Sequence, residues 1–184
     1  MTEQKVSHRY AQALFGTAKE ANLIEQVYQD FSTVSAVLDS SRELVALTKN
    51  PVFQQWRKKK IYEEIFTGKV SDLSLNFLIL LIDKRRGELI PSIIVQFTNI
   101  YNQYNKILPV GVCSAIELSD ELKDKIKKIL DERTEMNTVP SFSVDPAIKG
   151  GIIVRIEDQM FDGSVRNQLA VLFHKLAEGN SVSA

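Results

Sequence analysis

Hydrophobic residues recur at helical spacing from Ser7 to about Asn105, and short polar or Gly/Pro-containing breaks separate the periodic segments. The pattern predicts six helices. Each of the first two has one apolar stripe, formed by Ala11, Leu14, Phe15 and Ala18 in the first helix and by Val27, Phe31, Val34 and Leu38 in the second. Because only one side of each helix is apolar, we expect both to pack around a common core.

The next two helices are delimited by capping and breaking residues. A short third helix begins at Ser41, a suitable N-cap, and ends before Pro51, because the residue preceding a proline disfavours the helical conformation. A fourth helix ends at Gly68, and its apolar stripe is predicted to consist of Trp56, Ile61, Ile65 and Phe66.

The fifth predicted helix is the most apolar. It is capped by Ser71 or Asp72, runs through Ile82 and is apolar over most of its circumference, which suits the centre of a bundle. The residues that follow, Lys84-Arg85-Arg86-Gly87, place cations near its last carbonyl groups and a glycine beyond them. This combination predicts that the helix stops there.

The period of the pattern changes after the sixth helix, which we predict from about Glu88 to Asn105. Leu108, Val110 and Val112 then alternate with smaller residues, as in a strand. The later segments predict a helix capped by Ser119, strands at 140–144 and 152–156, and a last helix starting at Asp162-Gly163-Ser164 with Val165, Leu169, Leu172, Phe173 and Leu176. The fold is therefore predicted to be mainly α, with a six-helix bundle at 1–105 and a small α/β domain at 106–184.

Composition excludes several classes of function. The Lys+Arg and Asp+Glu totals are both 23, so no overall charge would concentrate the chain on nucleic acid or anionic lipid. The first seven residues, MTEQKVS, are mostly polar. The longest purely apolar run, Phe77 to Ile82, is far shorter than the roughly 20 residues of a membrane-spanning helix. We expect neither a signal peptide nor a membrane anchor.

Little in the sequence indicates catalysis. His8 and His174 are far apart and neither stands in a motif with an acid or a cysteine, and Cys113 is the only cysteine. These spacings fit no metal site, catalytic triad or internal disulfide. The glycine-rich phosphate-binding motifs G-x-x-x-x-G-K-[ST] and G-x-G-x-x-G are both absent from the sequence. We therefore predict no enzyme activity, no cofactor and no metal. An unrecognised small hydrolase would need a pocket with perturbed titrating groups.

Two basic clusters, at 57–60 and 84–86, support an alternative function. Such clusters can bind RNA phosphates or an acidic protein. The first interrupts an apolar helix pattern and the second complements a helix C-terminus, so solvated and capping roles are favoured. The alternative is an RNA-binding, all-helical module of the transcription-factor kind, whose affinity would fall steeply with salt.

Residues 145–169, DPAIKGGIIVRIEDQMFDGSVRNQL, resemble the C-terminal signature of the F-type ATP synthase delta subunit family, also called the oligomycin-sensitivity-conferring subunit family. The resemblance extends in the right order over essentially the whole chain, through RYAQAL at 9–14, Asn50-Pro51, NFLILL at 76–81 and KRR at 84–86. The sequence departs from the family pattern at two sites: Lys149 replaces a small or apolar residue, and Glu157-Asp158 replaces a common glycine.

The resemblance implies a non-catalytic stator subunit. Its bundle would hold N-terminal helices of alpha subunits in the catalytic head, and its C-terminal domain would hold the b subunits of the peripheral stalk, so that rotor torque is resisted during proton-driven ATP synthesis. Two interfaces in one chain raise the effective concentration of each partner. We expect one copy per complex, a monomer when isolated, no nucleic acid and no direct membrane insertion, at the cytoplasmic face of a bacterial inner membrane or the stromal face of a thylakoid membrane.

The candidate contact residues follow from this resemblance. A groove between the first and fifth helices would accept an amphipathic helix through apolar anchors. Leu14 fits a core position equally well, and in the last segment Gly163 is expected to relieve backbone strain and Ser164 to cap the last helix. The candidates are Tyr10, Leu14, Phe15, Phe77, Leu81 and Arg85 for the head, and Asp162, Ser164 and Arg166 for the stalk.

Overall fold

A computed structural model of the chain describes residues 3–50 and 53–179. The chain divides into two compact units, the first ending at Tyr104 and the second beginning at Asn105. Within the described residues the first unit contains six α-helices and the second contains two α-helices and a four-stranded sheet. The predicted fold class, mainly α with a small C-terminal α/β domain, is confirmed.

The first unit, hereafter the bundle, contains every helix that the periodicity predicts. A turn of 3-10 helix, Gly87–Leu89, precedes the sixth helix, which therefore begins at Ile90 rather than at Glu88. The helices are α1 Glu3–Glu20, α2 Ile24–Ser40, α3 Arg42–Lys49, α4 Gln55–Phe66, α5 Asp72–Asp83 and α6 Ile90–Tyr104.

Aromatic rings fill the centre of the bundle. The ring of Phe31 meets that of Phe97 edge-on, with centroids 5.0 Å apart, and Phe15 packs against Phe97 at 5.9 Å. The stripes predicted for α1 and α2 are buried throughout. α1 lies against α6, and α4 lies against α5. Burying side chains of this size contributes roughly 1.5–3 kcal/mol each, so the bundle has a substantial core.

The stripe predicted for α4 is correct at Phe66, which is buried, and partly so at Ile61 and Ile65, which are half-buried, but it is wrong at Trp56. Trp56 is 60% exposed, whereas the buried residues of this helix are Lys58, Tyr62 and Phe66. The reason is polar: the Lys58 ammonium donates a hydrogen bond to the Thr48 carbonyl oxygen at 2.8 Å, and the Tyr62 hydroxyl lies 2.8 Å from Thr48 Oγ1. A lysine can face inward here because the end of α3 satisfies its charge.

The second unit is a mixed sheet with strand order β2-β1-β3-β4. β1 is parallel to β2 and antiparallel to β3, and β3 is antiparallel to β4. Its core consists of Leu108, Val110, Val112 and Leu130. The elements are β1 Ile107–Ser114, α7 Asp120–Thr134, β2 Asn137–Val144, β3 Ile152–Ile156, β4 Gln159–Asp162 and α8 Val165–Gly179.

Two details of this unit differ from the predictions. β4 was not predicted, because the sequence analysis assigned no element to 157–161; Gln159–Asp162 instead pair with β3 across Glu157-Asp158. Glu157 has φ 50°, a left-handed conformation that favours glycine, and it lies at one of the two sites where the sequence departs from the family pattern. Ser119 occupies the N-cap position of α7, but its side chain makes no capping hydrogen bond.

Candidate partner-binding surfaces

A cavity of about 580 Å³ lies beside α1. It is lined by Val6, Arg9, Tyr10 and Ala13 of α1 and by Arg86, which follows α5. Both arginines are exposed and Tyr10 is half-buried. The cavity, hereafter the α1 cavity, therefore combines a partly apolar wall with two cationic side chains.

The other head-side candidates lie mainly inside the bundle. Leu14, Phe15, Phe77 and Leu81 are all buried, so each of them contributes to the core of the free chain. α5 nevertheless keeps an apolar outer side: Leu80 is 44% exposed, and Leu73, seven residues earlier on the same side, is half-buried. The exposed apolar surface of α5 is thus carried by residues that the sequence analysis did not select.

Arg85 forms part of the turn that ends α5. Its φ is 57°, its N–H donates to the Ile82 carbonyl, and the Arg86 N–H donates to the Leu81 carbonyl at 2.7 Å. These two bonds are those of a Schellman motif, in which the left-handed residue is usually glycine. The predicted role of Gly87 is therefore wrong: it is needed for close packing, because a Cβ atom there would lie 3.1 Å from Thr48 Cγ2.

Close backbone contacts explain the glycines of the C-terminal signature. A Cβ atom on Gly151, which has φ 77°, would lie 2.3 Å from the Gly163 carbonyl oxygen. The Gly163 N–H donates to the Ile152 carbonyl at 3.0 Å, and the Val165 N–H donates to the Gly150 carbonyl at 2.9 Å. Gly163 itself is not left-handed, so the expected relief of strain is wrong and its small size is what matters.

The stalk-side candidates surround the first turn of α8. Ser164 is buried and its Oγ accepts a hydrogen bond from the Asn167 N–H at 3.1 Å, so it caps α8 as expected. Asp162 Oδ1 accepts from the Ser164 N–H at 2.9 Å. Hydrogen bonding to Ser164 and the nearby charge of Arg166 hold the pKa of Asp162 below its usual value. Arg166 is exposed, so it alone of the three presents its side chain fully to solvent.

Among the described residues, α8 carries more exposed large apolar side chains than any other element. Phe173 is 72% exposed, and four aliphatic side chains follow each other at intervals of four, three and four residues. This spacing forms one side of a helix and resembles about three turns of a coiled-coil seam. Exposed apolar surface of this extent marks a site of protein interaction. The four residues of this α8 stripe are Val165, Leu169, Leu172 and Leu176.

The basic cluster at 57–60 is largely engaged within the bundle. Burial lowers the pKa of Lys58, although the charge of Glu88 opposes this. Lys59 pairs with Asp83 at 3.6 Å, and Lys60 pairs with Glu64 at 3.9 Å. The Arg57 guanidinium lies over the Trp56 ring, 5.1 Å from its centroid. These contacts leave little of the cluster as a free phosphate-binding patch.

The described residues contain no group of three or more His, Cys, Asp or Glu side chains placed to hold a metal ion. Across 3–50 and 53–179, no helix is both long enough and apolar enough to cross a bilayer. His8 Nδ1 lies 3.3 Å from Gln96 Oε1, a contact that joins α1 to α6.

Known proteins resemble the chain over nearly its full length. A family profile described as ATP synthase delta (OSCP) subunit matches residues 6–176. ATP synthase subunit delta from Desulforamulus reducens is 34% identical over 181 residues, covering 98% of this chain and 100% of the relative. ATP synthase subunit delta from Chlorobaculum tepidum is 36% identical over 176 residues, covering 96% of this chain and 97% of the relative.

A solved structure supports the fold. A chain in the cryo-EM structure of the Toxoplasma gondii mitochondrial ATP synthase hexamer superposes with a TM-score of 0.73 and 20% identity, covering 96% of this chain and 98% of that chain. The family match and the two bacterial relatives together extend over both units. The chain therefore belongs to the ATP synthase delta (OSCP) subunit family, whose members are structural, non-catalytic subunits of ATP synthase.

Proposed function

We propose that this chain is the stator subunit that links the catalytic head of ATP synthase to its peripheral stalk. The observation that carries the proposal is that each of the two units exposes apolar side chains of its own, at the α1 cavity and the outer side of α5 in the bundle and at the α8 stripe in the second unit. A link that resists torque needs two separate attachments. When both are in one chain, a partner that dissociates from one attachment can rebind while the other attachment still holds.

The bundle binds the N-terminal helices of alpha subunits. An amphipathic helix can lie along α1 and α5 with its apolar side on Tyr10, Leu73 and Leu80. Arg85 contacts the same partner from the end of α5. The four buried candidates act beneath this surface: Leu14, Phe15, Phe77 and Leu81 hold α1 and α5 in place.

The second unit binds the b subunits of the stalk through α8. The α8 stripe and Phe173 together offer a seam into which an apolar stripe of a stalk helix can pack. Arg166 contacts the polar side of that helix. Asp162 and Ser164 fix the first turn of α8, so that the seam leaves the sheet in one direction.

An RNA-binding function is not favoured. Most of the basic cluster at 57–60 is occupied by contacts within the bundle, and no family match or relative named above points to RNA. As one copy in the complex and a monomer when isolated, the chain acts from the aqueous side of the membrane, at the cytoplasmic face in a bacterium or the stromal face in a plastid.

Calorimetric titration of the full chain with each partner tests this function. The partners are a peptide of the alpha-subunit N-terminus and a soluble C-terminal segment of the b subunit, both from the same organism. We expect both to bind one-to-one and simultaneously. Leu80→Asp should abolish only the alpha-peptide affinity, and Phe173→Asp only the b-segment affinity, because each introduces a charge into one apolar contact.

The matched controls place the same charge elsewhere. Leu23→Asp alters a bundle residue that is 39% exposed outside the proposed surface, and Ile116→Asp alters a residue of the second unit that is 73% exposed and outside α8. Neither should change either affinity. Failure of both partners to bind, or loss of both partners in one folded variant, would contradict the proposal.

A further inference from the structure

The α1 cavity holds two arginines from separate parts of the bundle. Arg9 lies in the second turn of α1, and Arg86 follows the turn that ends α5. Within the described residues neither guanidinium is in a salt bridge with an acidic side chain. Glu88, the acid nearest to Arg86 in sequence, acts on Lys58. The cavity thus presents two positive charges that have no ionic partner among the described residues.

The rest of the lining limits what can enter. Val6, Tyr10 and Ala13 follow one another along one side of α1, so the wall between the two arginines is mainly apolar. A guanidinium is planar and binds a carboxylate through two parallel N–H donors. A small apolar group beside a carboxylate therefore satisfies this lining, whereas an entirely apolar helix surface would leave both cations facing it unpaired.

We propose that the α1 cavity recognises an acidic side chain, flanked by an apolar anchor one turn away, on the alpha-subunit helix that binds the bundle. The inference rests on the proposed function and adds the chemistry of recognition to it. An apolar groove alone permits a helix to slide or reverse, because neighbouring apolar residues are interchangeable. Pairing Arg9 and Arg86 with one carboxylate fixes the register and direction of the bound helix.

A double-mutant cycle with the full chain tests this pairing. The alpha-subunit N-terminal peptide is titrated into the wild type, Arg9→Gln and Arg86→Gln, and each acidic residue of the peptide is replaced in turn by its amide. We expect each arginine variant to weaken binding of the native peptide about three- to tenfold. With the one peptide that lacks the recognised carboxylate, the arginine variants should bind as well as the wild type does, since the pair is already broken.

Two further variants separate the charge of an arginine from its geometry and provide a control outside the cavity. Arg9→Lys keeps the charge and loses the fork, and we expect it to retain part of the affinity. Arg42→Gln removes one exposed arginine of the bundle that does not line the cavity and should leave the affinity unchanged. Both arginines of the cavity are exposed, and circular dichroism should show that all four variants remain folded.

The outcomes distinguish this inference from the function on which it rests. If the wild type does not bind the peptide, the proposed head-side function fails, and the inference fails with it. If the wild type binds and both glutamine variants bind equally well, only the inference is overturned. Weakening that is the same for every peptide, with no coupling to a carboxylate, also overturns it, because the arginines would then act without an acidic partner.

Discussion

The bundle and the second unit differ in how far they bury their apolar side chains. All but one of the largest fully buried side chains in the described residues belong to the bundle, the exception being Ile148. Besides Ile148, the second unit has a core cluster of four buried residues, and it leaves α8 with exposed leucines and Phe173. The bundle therefore completes its own core, whereas the second unit leaves a large part of its apolar surface exposed.

This difference has an energetic consequence. Each square ångström of apolar surface removed from water contributes about 25 cal/mol, so the bundle gains this term on folding. In the second unit the exposed apolar side chains of α8 do not contribute this term to folding, and on the proposed function they would contribute it when the partner covers them. A small domain with a limited core is marginally stable alone, and a ligand that binds only its folded form stabilises it. We expect the stability of the second unit to depend on partner binding much more than the stability of the bundle does.

The largest expected effect concerns the bundle core. Leu81→Ala should lower the free energy of unfolding of the bundle by about 2–5 kcal/mol, because Leu81 is fully buried and its loss leaves a cavity. Urea unfolding followed by circular dichroism measures this. Leu80→Ala is the matched control, since the neighbouring leucine is 44% exposed, and it should cost far less. Equal losses in the two variants would refute the division between core and surface on α5.

The second prediction concerns the partner-dependent unit. A b-subunit segment present at about 100 times its Kd should stabilise the second unit by about 2.7 kcal/mol. Phe173→Ser should remove this gain while changing the stability of the free chain by less than about 0.5 kcal/mol, because Phe173 is 72% exposed. Hydrogen exchange resolved by residue measures both units at once. A variant whose second unit is unfolded before any partner is added would show that Phe173 serves the core.

Which apolar stripe is buried was predictable in the bundle only in part. The stripes of α1 and α2 repeat at the helical period without interruption, so their burial follows directly from the pattern. In α4 the pattern favoured Trp56, but Lys58 faces inward because the end of α3 supplies a carbonyl acceptor. That acceptor comes from a different helix, and no local pattern contains it.

The candidate surfaces were less predictable than the fold. The α8 stripe has the spacing of a core stripe, and only the tertiary structure shows that nothing in the described residues covers it. Leu81 was selected as a contact residue because α5 is apolar on most sides, and it proved to be buried, whereas Leu80 is exposed. The cavity that brings Arg9 and Arg86 together joins residues 77 positions apart, a proximity that sequence spacing does not encode.

The third prediction compares two acids with the same role. Asp30 accepts hydrogen bonds from the N–H and Oγ of Ser71 at the start of α5, and Asp131 accepts from the N–H and Oγ1 of Thr138. Asp30 is almost completely buried and Asp131 only partly. Asp30→Asn should therefore cost about 1–3 kcal/mol of bundle stability, and Asp131→Asn should cost the second unit less.

The pH dependence of the stability of Asp30→Asn tests the direction in which the pKa of Asp30 is shifted. Burial tends to raise the pKa of Asp30, but hydrogen bonds from Ser71, Ser74 and Gln26 outweigh it, so the pKa lies below its ordinary value of 3.8. The stabilisation is then fully present above that ordinary value and is lost as pH falls through the lowered pKa. The difference in stability between wild type and Asp30→Asn should be constant near neutral pH and shrink in acid. A difference that grows on acidification would contradict the assignment.

The smallest expected effect should be the same in both units. Arg85 after α5 and Glu135 after α7 end their helices in the left-handed conformation, with φ 57° and 54°. Each side chain strains the backbone where glycine would not, so Arg85→Gly and Glu135→Gly should each raise the free energy of unfolding by about 0.5–1 kcal/mol. Denaturant unfolding resolved for each unit by hydrogen exchange measures both gains. Equal gains would mean that local backbone strain is alike in both units and that the units differ in the burial of their side chains. A gain in the bundle alone would show that contacts of the Glu135 side chain hold the α7 turn.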